Sequence, residues 1–377
     1  MAMKRLARKG FREASIVRGI RKRSKLLGTY LDIALDRDSR LRAAWNIAGV
    51  GSDSADLGGG KGTTTGRLSS SRTIFGTGTN LQNIPRPNNP EFPDLPNIRS
   101  FLTADQGCLL FEFDLRQAEW VVVAHLANDG NMIRVFQSGQ DTHKYTASLM
   151  LDKPYEEVTK GERQEKGKTP NHALNYDFGY RSMALKYEME ERVARGIVDK
   201  YHTIYPGIRG TFHERVRKQL WHDRTLTTCF GRRRLFLDRM GDSLYKSAYA
   251  FTPQSTVGEV INRGFVKAYY DTGIPLLEIL MQVHDSLVCQ MPINMDFMER
   301  ATYVFKMMKH LSIELNYNAR TFTIPVDVKV GFNWGNMIEL PQWPSTDVVS
   351  LPVLAKQLQS TVQELVYRAE RDDTWAA

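Results

Sequence analysis

The chain has 377 residues, of which 42% are hydrophobic and 25% are charged, so it has the composition of a globular protein and the length for two or three domains. No apolar run reaches the ~18–20 residues that cross a bilayer, and the arginine-rich start lacks the apolar segment of a secretion signal. The formal net charge is +9, and ten of the first 25 residues are Lys or Arg. We therefore expect a cytoplasmic protein whose basic arm contacts nucleic acid rather than membrane. The alternative for the arm is a solvated or disordered tail.

Three cysteines, Cys108, Cys229 and Cys289, lie far apart in the sequence. Their odd number and wide spacing favour a reducing compartment and predict neither a disulfide framework nor a zinc site.

The N-terminal third combines a helical pattern with polar loops. Residues 11–48 predict a helix, because Ile16, Ile20 and Tyr30 belong to an apolar set at helical spacing among basic residues. Residues 49–66, rich in Gly, Ser and Thr, predict a mobile loop. The polar segments TGRLSSS and NLQNIP follow, and their small side chains beside an Arg suit a phosphate backbone and a minor groove.

Two acidic residues stand at the ends of predicted strands. Residues 109–127 predict a buried strand that ends in Asp114 and is followed by a helix, QAEWVVVAHLA. Residues 277–291, LEILMQVHDSLVCQM, predict two short strands that meet at a tight turn, His284-Asp285. Two carboxylates that the fold brings together from distant positions are what a pair of Mg²⁺ ions needs for phosphoryl transfer. Taken singly, each Asp could simply end its strand.

Residues 131–250 between these carboxylates are mostly helix-like. The segment KTPNHALNY spaces Lys168, His172 and Tyr176 four residues apart, which predicts one shared helix face. A Lys for triphosphate charge beside a stacking surface suits a nucleotide, although such residues also occur on plain solvated helices.

The remainder continues with the basic turn FGRRR and with an amphipathic helix around residues 243–270 that contains Pro253. After the hairpin, residues 296–316 predict a helix and residues 324–330 a last strand. Residues 353–371 predict an amphipathic helix, which serves either as a docking element or as a helix packed on the body.

Together these segments resemble a family A DNA polymerase, the bacterial DNA polymerase I type and its phage relatives. Eight pieces occur in the family's order over roughly residues 15–336: TGRLSSS…NLQNIP, FDLRQAEWVVVAHLAND, GQDTHKYTAS, GKTPNHALNYDFGY, CFGRRR, TPQSTVGEV, MQVHDSLV and VDVKVGFNW. The resemblance implies an α+β right-hand fold with an antiparallel palm sheet, helical fingers and a partial helical thumb.

The resemblance also implies a division of the chain into five parts. These are a basic arm with a thumb remnant, the first part of the palm, the fingers, the second part of the palm and a C-terminal extension, at residues 1–60, 61–130, 131–250, 251–340 and 341–377.

The activity implied is template-directed DNA synthesis, in which dNTPs are added to a primer 3′-hydroxyl with two Mg²⁺ ions, or Mn²⁺ in their place. Asp114 and Asp285 are the implied catalytic and metal-binding carboxylates, assisted by the backbone carbonyl of Leu115. Two alternatives stay open: an RNA-templated or ribonucleotide-incorporating polymerase, and a catalytically weak paralogue that binds primer-template.

The resemblance assigns two further sets of residues, and in the first of them Glu119 is the residue that crowds the sugar 2′-position. The implied nucleotide-binding residues are Gln117, Glu119, His143, Lys168, His172 and Tyr176. The implied DNA-binding residues are Arg67, Asn80, Gln82, Arg232, Gln254, Gln282 and His284.

Several positions depart from the family pattern. Ser286 follows Asp285 where the family usually has an acid, and His172 replaces an aromatic residue. Asp177 stands where a Gly normally follows the Tyr, which predicts a negative charge close to the template pocket. Arg163 lies one residue too far upstream of Lys168 to match the usual spacing. The N-terminal arm accounts only for the last part of a thumb, so a separate polypeptide or a missing N-terminal region is expected to supply the thumb and any exonuclease.

Overall fold

The computed structural model describes residues 9–47, 63–85 and 94–372, together with Met3, Leu6, Ala7 and Trp375. The chain divides into two units. Unit 1 comprises Met1–Leu115, Ile261–Ser312 and Pro325–Ala377, and unit 2 comprises Arg116–Val260 and Ile313–Ile324. The five-part division expected above is finer than this and stays a prediction.

Eleven strands lie within the described residues, and all of their pairings are antiparallel. They are β1 (Ala44–Asn46), β2 (Ser69–Ser71), β3 (Cys108–Leu115), β4 (Thr225–Thr227), β5 (Arg233–Leu235), β6 (Glu278–Val283), β7 (Ser286–Pro292), β8 (Leu315–Tyr317), β9 (Arg320–Phe322), β10 (Val326–Asn333) and β11 (Asn336–Glu339). Unit 1 is built on a five-stranded sheet of order β11-β10-β3-β7-β6, as expected for the palm. The pairs β1-β2, β4-β5 and β8-β9 form separate two-stranded sheets.

The α-helices fill most of unit 2 and flank the sheet of unit 1. They are α1 (Arg12–Leu26), α2 (Ala118–Ala127), α3 (Gly130–Gln137), α4 (Thr142–Leu151), α5 (Lys160–Glu162), α6 (Thr169–Leu174), α7 (Tyr180–Tyr187), α8 (Glu191–Ile204), α9 (Glu214–His222), α10 (Asp242–Tyr269), α11 (Phe297–Leu311) and α12 (Leu351–Ala369). Asp side chains at positions 129, 141 and 296 accept backbone N–H groups at the starts of α3, α4 and α11, which fixes where these helices begin.

The central strand β3 is buried on both faces of the sheet because each face has its own cover. Side chains alternate along a strand, so Phe111 and Phe113 lie on one face and Leu110 on the other. On the Phe113 side, Val328 lines a small cavity with residues of α11 and α12. On the Leu110 side, a buried apolar cluster includes Val288 and residues of the N-terminal segments, namely Leu26, Tyr30, Leu81, Ile84 and Ile98.

The prediction of a helix over residues 11–48 is wrong beyond residue 31, where the observed helix ends. It continues from α1 through a π-helical turn, Leu27–Leu31, and then ends. Arg42 pairs with both Asp36 and Asp38, and Ser39 adopts a positive φ of 61°, so this polar stretch forms a turn. The chain then enters β1 and pairs with β2. The loop predicted for residues 49–66 lies mostly outside the described residues.

Several other predicted elements are confirmed, but the helix predicted for 296–316 ends at Leu311, and the strand predicted for 324–330 is not the last one, because β11 follows it. The stretch over 277–291 forms the hairpin β6-β7, and β3 with α2 forms the predicted strand and helix. The helix predicted for 353–371 is α12, and it packs on α11 and β10 with Leu354, Leu358 and Leu365 buried. This favours the helix packed on the body over the free docking element. All three cysteines are free thiols, and within the described residues no helix is long and apolar enough to span a membrane.

Candidate active site

Two neighbouring strands bring Asp114 and Asp285 to the same end of the unit 1 sheet. In the register of β3 with β7, Asp114 lies directly opposite Ser286, the residue after Asp285. The backbone N–H of Leu115 donates to the carbonyl oxygen of Asp285 at 3.0 Å. The two acids, 171 positions apart in the sequence, therefore lie on adjacent backbone segments.

The tight turn that carries Asp285 depends on an unusual backbone conformation. His284 has a φ of 55°, in the left-handed region, where non-glycine residues are uncommon. The side-chain amide of Gln282 donates to the carbonyl of His284 and so holds this turn from within the hairpin. Asp285 thus stands on a turn braced by its own strand.

A third acid, Asp327, lies on the other neighbour of β3. It is the register partner of Asp114 on β10, so the two side chains point to the same face of the sheet. The amide of Gln342 donates weakly to Asp327, at 3.4 Å. Within the described residues, no group of three or more His, Cys, Asp or Glu side chains is close enough to hold a metal ion.

The donors at this end of the sheet fit a hard divalent cation. Asp114, Asp285 and the Leu115 carbonyl offer only oxygen atoms, the ligand type that Mg²⁺ prefers, and Mg²⁺ in phosphoryl-transfer sites is commonly held by one or two carboxylates with substrate phosphates. A site with two protein carboxylates is therefore sufficient for the expected cofactor.

Four of the predicted DNA-binding residues form one hydrogen-bonded chain in unit 1. The Asn80 side chain accepts from Ser70 Oγ and from the backbone N–H of Gln82, each at 3.1 Å. Gln82 Nε2 donates to Gln282 Oε1 at 2.9 Å, and Gln282 in turn reaches His284. The structure therefore joins NLQNIP to the hairpin that carries Asp285.

The other three predicted DNA-binding residues are Arg67, Arg232 and Gln254. The backbone carbonyl of Arg67 accepts from Thr63 Oγ1 at 2.7 Å, which fixes the TGRLSSS segment locally. Arg232 lies in unit 2 and pairs with Glu259 at 3.5 Å. Gln254 stands in α10, one position after Pro253.

All six predicted nucleotide-binding residues lie in unit 2, and Gln117 and His143 are held by neighbours. Gln117 Oε1 accepts from the backbone N–H of Thr142 at 3.2 Å and from its hydroxyl. Burial, together with the nearby charge of Arg163, lowers the pKa of His143 to about 3, so its imidazole is neutral at pH 7. Asn171 Nδ2 lies 2.9 Å from His143 Nδ1, and Asn171 Oδ1 accepts from Tyr201. This orientation makes Nδ1 the acceptor and places the proton of His143 on Nε2.

The prediction that Lys168, His172 and Tyr176 share one helix face is only partly right. Lys168 ends a π-helical turn, Arg163–Lys168, that joins α5 to α6, and His172 lies in α6 with its ring centroid 5.7 Å from that of His143. Tyr176 lies beyond the last residue of α6 and is therefore not on that face. Its hydroxyl instead donates to the carboxylate of Glu119, a contact that sequence spacing did not predict.

Two departures from the family pattern prove to be paired charges. Asp177, at a positive φ of 56°, accepts from Arg209 at 2.9 Å and from Arg217 at 3.4 Å. Its expected negative charge is therefore balanced within unit 2. Arg163 pairs with Asp141, the residue that caps α4, at 2.7 Å.

The sequence model of DNA polymerase family A matches residues 2–336 of the chain. The chain belongs to this family. It is 31% identical over 329 residues to the thermostable DNA polymerase I of Thermus aquaticus, an alignment that covers 82% of this chain and 34% of the relative. It is 28% identical over 345 residues to DNA polymerase I of Pseudomonas aeruginosa, covering 87% of this chain and 34% of that one. The chain thus spans about a third of the length of these relatives.

This family A chain also has the fold of a solved polymerase domain. The POL domain of Pol1 from M. smegmatis, solved in complex with DNA primer-template and dNTP, matches with a TM-score of 0.65 and 24% identity over 86% of this chain and 52% of that one. The likeness confirms the expected α+β right-hand fold. Membership of a DNA polymerase family does not favour the two alternatives, an RNA-templated or ribonucleotide-incorporating polymerase and a catalytically weak paralogue that binds primer-template.

Sequence reasoning missed three charged residues beside Asp114. Glu112 and Lys329 form an ion pair of 3.1 Å across β3 and β10, and Asp327 is the register partner of Asp114. An acid inside the apolar run LLFEF and the charges in VDVKV were the available signals, but the long-range register that joins them is not readable from local patterns.

Proposed function

We propose that this chain is a DNA-directed DNA polymerase that adds dNTPs to the 3′-hydroxyl of a primer paired with a template. The observation that supports the proposal most directly is the register of β3 with β7, which puts Asp114 beside the turn of Asp285 in a chain of DNA polymerase family A. The five expected parts of the chain, from thumb remnant to C-terminal extension, belong to the same proposal.

Asp114 and Asp285, with the Leu115 carbonyl, would hold two Mg²⁺ ions. When bound, such ions lower the pKa of the primer 3′-hydroxyl and neutralise charge on the triphosphate and the leaving pyrophosphate. The contribution of the protein is rigidity, because Asp114 stands on a paired strand of the central sheet and Asp285 stands on the tight turn between two paired strands rather than on a free loop.

The residues of unit 2 would bind the incoming nucleotide. Lys168 would contribute positive charge to the triphosphate, whereas a neutral His143 would donate a hydrogen bond without adding charge. The hydrogen bond from Tyr176 holds the Glu119 carboxylate in place, which supports its role in crowding a ribose 2′-hydroxyl. Gln117 and His172 complete the set.

The duplex would be tracked by Arg67, Arg232, Gln254 and the hydrogen-bonded chain from Asn80 to His284. The basic residues at the start of the chain would add sequence-independent attraction to phosphates. We also propose that a further thumb segment, from a separate polypeptide or a longer form of this chain, completes the grip. The site of action would be the cytoplasm of a bacterium or of an infected host cell.

Primer extension by charge-neutral variants tests this function. Asp114→Asn and Asp285→Asn keep the shape of each side chain but remove the charge, so each is expected to lower extension by at least about a thousandfold. Asp347→Asn is the matched control, because Asp347 is an exposed carboxylate of unit 1 that pairs with Lys309. Anisotropy of labelled primer-template should show binding by all three variants. Normal extension by either active-site variant would refute the assignment.

A further inference from the structure

A buried acid lies two residues before Asp114 in the central strand. Glu112 is only 8% exposed, although it stands between Phe111 and Phe113. Its carboxylate accepts from Lys329 Nζ at 3.1 Å and from Trp334 Nε1 at 3.2 Å. Because such a carboxylate is costly to bury without partners, these donors are what keeps it in the sheet.

Ser286 ties this acid to the hairpin of Asp285. The Ser286 hydroxyl is buried. It lies 2.9 Å from the carbonyl oxygen of Val283 and 3.3 Å from Glu112 Oε1. Position 286 is the one where the family usually carries an acid after the Asp. In this chain the hydroxyl there turns inward, and the nearest acid on that face of the sheet belongs to β3 instead.

Lys329 is within reach of two acids on the same face of β3. Register pairs Lys329 with Glu112 and places Asp114 diagonally across, a separation that a long side chain can bridge. Burial acts to lower the pKa of Lys329, but Glu112, Asp114 and Glu339 together outweigh it and hold the pKa above its ordinary value. All three carboxylates therefore attract the same ammonium group.

Glu112 also balances a second cation. The guanidinium of Arg99 lies 3.7 Å from the ring centroid of Trp334, and Trp334 is itself a donor to Glu112. Burial acts to raise the pKa of Glu112, but Lys329, Trp334 and Arg99 together hold that pKa below its ordinary value. Without this acid, the acidic neighbours left to Lys329 would include Asp114, diagonally across on β3, and Glu339, opposite it on β11.

We propose that Glu112 is a positioning residue for Asp114: by binding Lys329 from the neighbouring strand, it weakens the competition of that ammonium group with a divalent cation for the Asp114 carboxylate. This rests on the proposed function, in which Asp114 is a cation ligand. If the ion pair of Glu112 with Lys329 served only to stabilise the sheet, replacing either residue or both would leave the cation affinity unchanged.

The test measures cation binding directly, without catalysis. Binding of Mn²⁺ to the whole chain with primer-template is followed by the electron paramagnetic resonance of free Mn²⁺, and unfolding temperature is recorded alongside. Glu112→Gln removes the charge but keeps the size, and it is expected to weaken Mn²⁺ binding about tenfold, as for other residues that support a metal ligand. The double variant Glu112→Gln/Lys329→Gln removes both charges and should return the affinity to within about threefold of the unsubstituted chain.

Opposite outcomes are equally definite. If Glu112→Gln folds and binds Mn²⁺ normally, or if the double variant stays as weak as the single one, the proposal is wrong. If Glu112→Gln fails to fold, Lys329→Gln is used in its place. This variant is expected to bind Mn²⁺ more tightly than the unsubstituted chain, and unchanged or weaker Mn²⁺ binding would refute the proposal. Asp114→Asn separates this inference from the proposed function, because normal Mn²⁺ binding by that variant would instead refute the metal site itself.

Discussion

Gln82 donates a hydrogen bond of 2.9 Å to Gln282, although the two residues are 200 positions apart in the chain. The bond connects the NLQNIP segment to the strand that leads into the Asp285 turn. Because Gln282 also donates to the His284 carbonyl, hydrogen bonds connect Gln82 to the backbone beside the candidate catalytic carboxylate.

The two glutamines are expected to act as a unit in primer-template binding. Gln82→Ala and Gln282→Ala should each weaken binding about fivefold, and the double variant should be no weaker than about tenfold, because interacting residues are not additive. Fluorescence anisotropy at fixed salt measures the affinities. Gln359→Ala, at an exposed position of α12 in unit 1, is the control. Fully additive losses would show that the hydrogen bond between the pair has no part in binding.

The Glu119 carboxylate and the Tyr176 hydroxyl are expected to determine sugar selection together. Glu119→Ala removes the group that crowds the 2′-position and should raise kcat/KM for rNTPs relative to dNTPs by at least about tenfold. Tyr176→Phe deletes only the hydroxyl that holds Glu119, so it should raise the same ratio by a smaller factor. Single-nucleotide incorporation with matched rNTP and dNTP measures both. An unchanged ratio in Glu119→Ala would exclude this residue as the sugar gate.

Buried neutral histidines are expected to make the chain acid-sensitive. Burial is the largest cause that lowers the pKa of His143 to about 3 and that of His213 to about 4, below the ordinary value near 6.5. Below pH 6.5 the unfolded chain binds these protons and the folded chain does not, so the free energy of unfolding falls with pH through the window from 6.5 down to those values.

The expected loss between pH 7 and pH 5 is about 2 kcal/mol for each of the two histidines. Urea unfolding at a series of pH values measures it. The variant His213→Gln should flatten the pH dependence whatever it does to stability at pH 7. A slope that is identical with and without His213 would contradict the assignment.

The C-terminal helix α12 is expected to be integral to unit 1. Leu358 is fully buried in this helix, whereas Val353 is 44% exposed. Leu358→Ala should therefore lower the free energy of unfolding by about 2–5 kcal/mol, and Val353→Ala by no more than about 1 kcal/mol. Denaturant unfolding monitored by circular dichroism distinguishes them. Equal effects would mean that α12 does not pack as a core element.

Local patterns were sufficient for the main elements of the site. Alternation and turn chemistry around His284-Asp285 predicted the hairpin, and an apolar run followed by helical spacing predicted β3 and α2. These signals are local, because each depends on residues within about ten positions of one another. The order of motifs along the chain was likewise enough to predict the family and its fold.

Local patterns failed where the apolar spacing predicted a helix longer than the one that forms. The apolar spacing after Leu31 continued, yet the acids and arginines between residues 36 and 42 paired with one another and formed a turn. The spacing of Tyr176 fitted a helix that ends two residues earlier, at Leu174. The amphipathic pattern at the C-terminus predicts a helix with an apolar face that must be buried, but it does not predict which element packs against that face.

The sequence by itself determined which carboxylates stand at strand ends and which family the motifs follow. Only the tertiary structure decided that Lys329 meets Glu112, 217 positions away, beside Asp114, and that Tyr176 meets Glu119. The physical reason is that strand register and the ends of helices depend on packing against distant segments, where a shift of one residue turns every side chain to the opposite face.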